Sequence, residues 1–124
     1  MEKGKGCYGE AAARERLSRT LPHWRVEGGC LVREYRTEGW KASLMVVNAV
    51  GHLAEAAWHH PGLEVSWDRV RVSLSTHDAG GITDRDFELA QQMEAFVQWQ
   101  PGRAGGALQG TPQEPRYRYI RYDA

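Results

Sequence analysis

Three histidines stand where acid–base side chains can meet a ligand. His59 and His60 are adjacent and precede Pro61-Gly62, and His77 follows an alternating apolar segment. Each falls at the predicted end of a helix or strand, where a rigid scaffold presents side chains to ligands. Imidazole titrates near neutral pH, and a well-placed imidazole contributes about 10²–10⁴-fold to a rate. The pattern therefore indicates proton-transfer chemistry.

Two other interpretations of these histidines stay open at this point. Ordinary surface and loop histidines would show the same spacing. A zinc centre with three histidine ligands and an open position is the second alternative. Neighbouring residues in an extended segment point apart, so His59 and His60 are poorly placed to face one ion. Because the sequence has no HExxH motif and no cysteine pair with metal-ligand spacing, we expect no metal.

Charged residues accompany the histidines. Glu55 lies one helical turn before His59 and can orient that ring, although a solvated helix-end acid would have the same spacing. Arg85 and Asp86 begin the last predicted helix, where exposed amides and the helix dipole favour anionic or carbonyl-bearing ligands. For Asp86 a capping role alone would suffice. No GxSxG elbow, P-loop or GxGxxG motif supports a hydrolase or a nucleotide-dependent enzyme.

The composition indicates one domain without a net charge. The chain has 124 residues, close to the usual size of a single domain. Sixteen basic residues balance sixteen acidic ones, so no net field attracts nucleic acid or an anionic membrane. No segment approaches the roughly 20 apolar residues of a membrane span, and the N-terminal segment lacks a secretory signal. We expect a cytoplasmic protein with no nucleic-acid or membrane partner.

The first elements are a helix and a hairpin. Strong helix formers over 9–20 stop before Leu21-Pro22, where proline disfavours continuation. Strands over about 23–27 and 30–37 flank Gly28-Gly29, which supplies the positive φ of a tight turn.

A second helix leads to the histidine pair. Apolar residues recur at three- and four-residue steps from Gly39 to about Trp58, which predicts a helix with one buried face. That face is expected to comprise Trp40, Leu44, Val47, Val50 or Gly51, Ala54 and Ala57.

A second hairpin separates the histidine pair from His77. Residues 63–67 alternate as a strand with one solvated face, and Asp68-Arg69 forms the turn. The next strand, 70–77, places His77 on its polar face. Its apolar face carries Val70, Val72, Leu74 and Thr76.

The last helix begins after a loop over 78–81. Thr83 is its predicted N-cap, and Asp86 completes a variant capping box. The helix should end near Trp99, because Pro101-Gly102 follows.

The spaced pattern E-x-x-x-H-H-P, Trp67, His77 and S-T-H-D-A-G-G-I-T-D-R-D-F resembles the signature of pterin-4a-carbinolamine dehydratases over about residues 15 to 98. The resemblance implies an α+β fold, α-β-β-α-β-β-α, with helices on one face of a four-stranded antiparallel sheet, assembled as a homo-dimer or tetramer. It also implies the reaction, loss of water from 4a-hydroxytetrahydropterin to give quinonoid dihydropterin, without metal or bound cofactor.

The resemblance also implies roles for the site residues. His59 and His77 would be the acid–base pair, and His60 would bind and orient the pterin. Glu55 would support the site. The remaining residues are Arg85 and Asp86, which would close the rim at the last helix, and Ser75 and Thr76, whose backbone groups would read the amide edge of the ring.

The sequence departs from this family in three places. Trp58 stands where many relatives carry a short polar or acidic residue, and an indole cannot accept from a protonated imidazole. Leu63 replaces an aromatic residue of some relatives. Beyond a predicted domain over 1–99, residues 100–124 form a Gly/Pro-rich linker and an Arg/Tyr-alternating tail.

The AEAAWHHP segment and the tail resemble a dehydratase-like branch associated with carboxysome gene clusters. This resemblance implies an alternative function: a catalytically silent assembly chaperone that binds RuBisCO subunits.

Overall fold

The computed structural model places three α-helices on one face of a four-stranded sheet, within residues 6–110 and 112–122, which are the described residues. The helices are α1 (Glu10–Thr20), α2 (Trp40–Ala57) and α3 (Asp84–Val97). The strands are β1 (Arg25–Glu27), β2 (Cys30–Arg36), β3 (Gly62–Ser66) and β4 (Arg69–Leu74). Short 3-10 turns follow at His77–Ala79 and Pro101–Arg103. The predicted α+β fold and element order are confirmed.

The predicted domain and tail extend past the described residues at both ends. Residues 1–5 of the predicted 1–99 domain, and residues 111, 123 and 124 of the predicted tail, lie outside them. Across the described part of the chain, no helix has the length and apolar character needed to cross a bilayer.

The sheet runs in the order β1-β2-β4-β3 with antiparallel neighbours. Directly paired residues of antiparallel strands share a face. The pairs Leu31–Leu74 and Tyr35–Val70 therefore point to one side, where the helices bury them. The opposite face carries ion pairs among Arg25, Glu27, Glu34, Glu64, Arg69 and Arg71.

Helix α3 is fixed to the sheet through Glu94. Its carboxylate accepts hydrogen bonds from Arg33 Nε at 3.0 Å, from the Tyr35 hydroxyl at 2.9 Å and from Trp24 Nε1 at 3.0 Å. Arg33 is almost fully buried, so its charge requires this partner. Burial and the nearby carboxylate raise the pKa of Tyr35, which keeps the phenol protonated as a donor. These contacts fix the position of α3, whose first turn carries Asp86.

The predicted buried face of α2 is wrong in part. The structure buries Val50 and Ala54 as expected, but Trp40 is 50% exposed and Leu44 is 41% exposed. Ser43 is buried instead, and its hydroxyl is hydrogen-bonded to Thr37 Oγ1 at 2.6 Å. The helix is apolar on more than one side, so periodicity alone could not identify the side that meets the sheet.

Strand β3 also differs from expectation. Its apolar residues Leu63 and Val65 face the helix side through their pairing with Val72 and Val70, but both stay partly exposed. The strand lies at the sheet edge, next to β4 alone. An edge strand has neighbours on one side only, so alternation does not guarantee a covered face.

The second hairpin ends earlier than predicted. Strand β4 stops at Leu74, and the chain turns at Thr76, whose N–H donates to the Gly81 carbonyl at 2.8 Å. The Thr76 carbonyl accepts from Gly80 at 3.0 Å. His77 therefore lies on a 3-10 turn rather than at the end of a strand.

The C-terminal segment packs back against the domain. Ile120 is buried and forms an antiparallel bridge with Thr37 at the end of β2. The carboxylate of Glu38 accepts a hydrogen bond from Arg121 Nε at 2.9 Å, and Arg118 Nε lies 3.2 Å from the same oxygen, within ion-pair distance. Backbone pairing and these ion pairs hold the segment against the junction of β2 and α2.

Candidate active site

The centre of the candidate site is the carboxylate of Asp86, which is fully buried in the first turn of α3. One oxygen, Oδ2, accepts from the Thr83 backbone N–H and from Thr76 Oγ1, each at 2.9 Å. The other, Oδ1, lies 2.6 Å from His59 Nε2. The predicted capping box between Thr83 and Asp86 is present, and it draws this carboxylate inward. From the sequence we expected Asp86 at the rim of the site. In the structure it is buried and bonded to His59 instead.

His59 is directed toward α3 by the end of α2. Trp58 caps the helix in the left-handed conformation, with φ of 50° and ψ of 47°, which turns the chain at this residue. The His59 backbone N–H donates to the Ala54 carbonyl at 3.1 Å, and its side chain is 13% exposed. When the Asp86 carboxylate is ionised it only accepts, and His59 Nε2 is then the donor in the 2.6 Å contact. In the neutral ring, Nδ1 is then the nitrogen free to take a proton.

His60 has a carboxylate partner of its own. Its Nε2 lies 2.7 Å from Glu55 Oε1, and its ring meets the Trp58 indole edge-on with centroids 5.0 Å apart. Glu55 therefore orients His60 and not His59, contrary to expectation. Adjacent residues project in different directions, so the two histidines reach different acids.

The residue before His77 is connected to His59 through Asp86. Thr76, the residue before His77, is buried and bonds Asp86 Oδ2, while His59 bonds Oδ1 of the same carboxylate. The carboxylate thus joins the end of α2 to the turn that carries the exposed His77. The Thr76 N–H and carbonyl are used within the turn, so Thr76 supports the site through its side chain instead of reading a ligand edge.

Ser75 and Arg85 lie next to these residues. Ser75 is half-buried just before the turn. Arg85 is exposed in the first turn of α3, and its Nη1 lies 3.4 Å from Asp78 Oδ1 on the 3-10 turn. The roles of Ser75 and Arg85 in the site stay predictions.

Sequence reasoning assigned Thr83 a capping role alone. Its hydroxyl lies 2.6 Å from Thr76 Oγ1, so it also belongs to the buried network under His59. The T-x-x-D spacing at the start of α3 indicated that Thr83 and Asp86 lie close together, and this was the signal in the sequence for the network. In the described chain, no cluster of three His, Cys, Asp or Glu side chains could hold a metal ion.

Comparison with known proteins identifies the family. A family profile described as pterin 4 alpha carbinolamine dehydratase matches residues 8–96. The chain belongs to this family. A relative from Aquifex aeolicus named for pterin-4-alpha-carbinolamine dehydratase is 48% identical over 77 residues, covering 62% of this chain and 78% of the relative. A Chloroflexus aurantiacus relative of the same name is 42% identical over 88 residues, covering 71% of this chain and 94% of the relative.

A solved structure agrees with the fold. The transcriptional coactivator/pterin dehydratase from Brucella melitensis has a TM-score of 0.66 and 28% identity, covering 73% of this chain and 98% of its own. The family's enzymes are carbon–oxygen lyases, so activity in this chain would belong to that class. The profile ends at residue 96, so the C-terminal segment lies outside the match.

Proposed function

We propose that the protein dehydrates 4a-hydroxytetrahydropterin to quinonoid dihydropterin by histidine acid–base catalysis. The observation that supports this most is the Asp86 carboxylate, which bonds His59 with one oxygen and the residue before His77 with the other. One buried acid thus fixes the two segments that carry the proposed acid–base pair. The cytoplasmic location stays a prediction.

The reaction needs two proton transfers. One imidazole, protonated, gives its proton to the 4a oxygen, the C4a–O bond breaks, and water leaves. The other imidazole takes the proton of the adjacent ring N–H, and the electron pair of that bond forms the C=N bond. His59 and His77 fill these roles in our proposal. With Nε2–H held by Asp86, His59 exchanges its proton through Nδ1.

The neighbouring residues bind and orient the ring. His60, held by Glu55 at 2.7 Å and half exposed, is proposed to bind the pterin. Ser75 and Arg85 at the edge supply polar contacts. Trp58 is 77% exposed beside His60, and its flat indole offers the ring a stacking face.

Stopped-flow absorbance with a carbinolamine pterin tests this function. We expect His59→Ala and His77→Ala each to slow dehydration by about 10²–10⁴-fold, the usual contribution of a positioned acid or base. His23→Ala is the matched control, because His23 is exposed in the segment before β1, away from Asp86. A wild-type rate for both site variants would overturn the proposal.

A second proposal is protein binding through the surface of α2. Trp40, Leu44 and Met45 expose 41–50% of their surface on one helix, which favours a partner. We propose a second copy of the chain as this partner, giving a dimer or tetramer. Light scattering should show an oligomer that Leu44→Glu dissociates, and a monomeric wild type would contradict it.

The alternative of a silent RuBisCO assembly factor is supported by two observations. Trp58 stands where the family resemblance implies a short polar or acidic residue, and the C-terminal segment lies outside the family match. No acceleration of dehydration, together with binding to RuBisCO subunits, would favour this alternative. Acceleration that requires His77 would exclude it as the sole function.

A further inference from the structure

A cavity of about 590 Å³ lies within the C-terminal segment, outside the residues that match the dehydratase family. Its lining includes the polar side chains of Gln100, Arg103, Gln109, Gln113, Arg118, Arg121 and Tyr122. None of the candidate site residues lines it. The cavity is therefore a feature of this chain's extension, separate from the histidines.

The lining carries a positive charge that is only partly balanced. Three arginines line the cavity, and no acidic side chain does. Glu38, which is not among the lining residues, pairs with Arg118 and Arg121 at their Nε atoms. Among the residues that the structure describes, Arg103 has no acidic side chain within ion-pair distance. Among the described residues, three guanidinium groups against one carboxylate leave an excess of positive charge at the cavity.

Close backbone packing shapes the wall of the cavity. A Cβ atom added to Gly102 would lie 2.4 Å from the Gln109 carbonyl oxygen, and one added to Gly110 would lie 2.8 Å from Gly102 Cα. Gly110 also has φ of +96°, which side chains rarely adopt. The backbone at Gly102 and the backbone at Gly110 therefore approach too closely for any residue with a Cβ atom. On the other side, buried Ile120 and its bridge to Thr37 fix the wall to the domain.

The lining matches the chemistry of a phosphate group. Guanidinium forks pair with phosphate oxygens in two-point contacts, and glutamine amides donate to the remaining oxygens. A phosphate monoester carries about −1.5 to −2 charges at pH 7, which complements the excess positive charge of the lining. The volume lies in the range of small-molecule sites, roughly 300–1,000 Å³. We propose that this cavity binds a small phosphorylated molecule.

Isothermal titration of the full chain with inorganic pyrophosphate and with ribose 5-phosphate tests the proposal. We expect saturable binding of one molecule per chain, no binding of ribose, and at least about tenfold weaker binding in Arg103→Gln. Arg14→Gln is the control, because Arg14 is an exposed arginine on α1 outside the cavity. Gly110→Ala should also weaken binding, with circular dichroism confirming that the domain stays folded.

Three results would overturn the proposal. The first is no saturable binding of either phosphate compound at millimolar concentration. The second is equal weakening by Arg14→Gln and Arg103→Gln, which would indicate general charge attraction. The third is tight binding of an acidic peptide that phosphate does not displace, which would indicate a protein segment as the occupant.

Discussion

Replacing Asp86 with asparagine removes one negative charge from the centre of the candidate site and preserves the size of the side chain. The carboxylate accepts three hydrogen bonds, from His59, Thr76 and the Thr83 backbone. An amide offers one oxygen and one NH₂ group, so a donor must replace an acceptor on one side. Either Thr76 and Thr83 lose their acceptor, or His59 must change tautomer to accept from the new NH₂.

The loss of stability in Asp86→Asn follows from the burial of this side chain. Asp86 is fully buried, so water cannot replace the lost acceptor. A buried donor without a partner costs about 1–3 kcal/mol, and each remaining bond loses the strength of a charged acceptor. We expect Asp86→Asn to lower the free energy of unfolding by about 2–4 kcal/mol. The rate of dehydration should fall about a hundredfold or more, because a misaligned His59 loses the contribution of a positioned acid or base.

Two measurements separate positioning from folding. Urea denaturation gives the stability, and stopped-flow kinetics across pH, at a temperature where the variant is folded, gives kcat and its pH profile. Glu88→Gln is the matched control, because Glu88 is exposed on the same helix. A purely structural role predicts a wild-type pH profile at full folding. A wild-type rate and profile in folded Asp86→Asn would refute the positioning role, and unchanged stability would refute the buried network.

Three further predictions concern strain, a buried charge and pH. Trp58→Gly should raise the free energy of unfolding by up to about 1 kcal/mol, because glycine accepts the left-handed conformation. Trp58→Ala keeps the backbone strain and should not gain stability. Equal melting temperatures of the Gly and Ala variants would contradict this. Glu94→Gln should cost about 3–5 kcal/mol in urea denaturation by removing the carboxylate that pairs with the buried Arg33, and a loss below about 1 kcal/mol would contradict it. Burial, with the nearby Tyr122, raises the pKa of Tyr119 to about 12. Its folded pKa lies above its unfolded value of about 10, so its contribution to stability is complete below pH 10 and is lost as pH rises through 12. Tyr119→Phe should lack this loss in alkaline denaturation, and an identical pH dependence would argue against it.

The sequence predicted the local elements because their signals are local. Gly28 and Gly29 adopt the positive φ that the hairpin turn demands, and Thr83 with Asp86 forms the predicted capping box. These features depend on residues within a few positions of each other. The spaced histidine pattern also identified the family, which the family profile confirms.

The packing of separate elements determines which side chains of α2 and β3 are buried, and the periodicity of the sequence does not. Helix α2 has apolar residues on more than one side, and the side that packs against the rest of the domain includes Ser43, whose hydroxyl is hydrogen-bonded to Thr37. Strand β3 alternates correctly, yet its edge position leaves its apolar residues partly exposed. Each outcome depends on neighbours distant in sequence.

The sequence by itself determined the order of elements, the capping of α3 and the three histidines available for chemistry. Only the tertiary structure decided which acid each histidine meets: Glu55 bonds His60, and Asp86 bonds His59. The helix rule i to i+4 gave Glu55 the wrong partner, because Trp58 turns the chain out of the helix. A residue's sequence neighbours fix its backbone, but its side-chain partners depend on how separate elements pack.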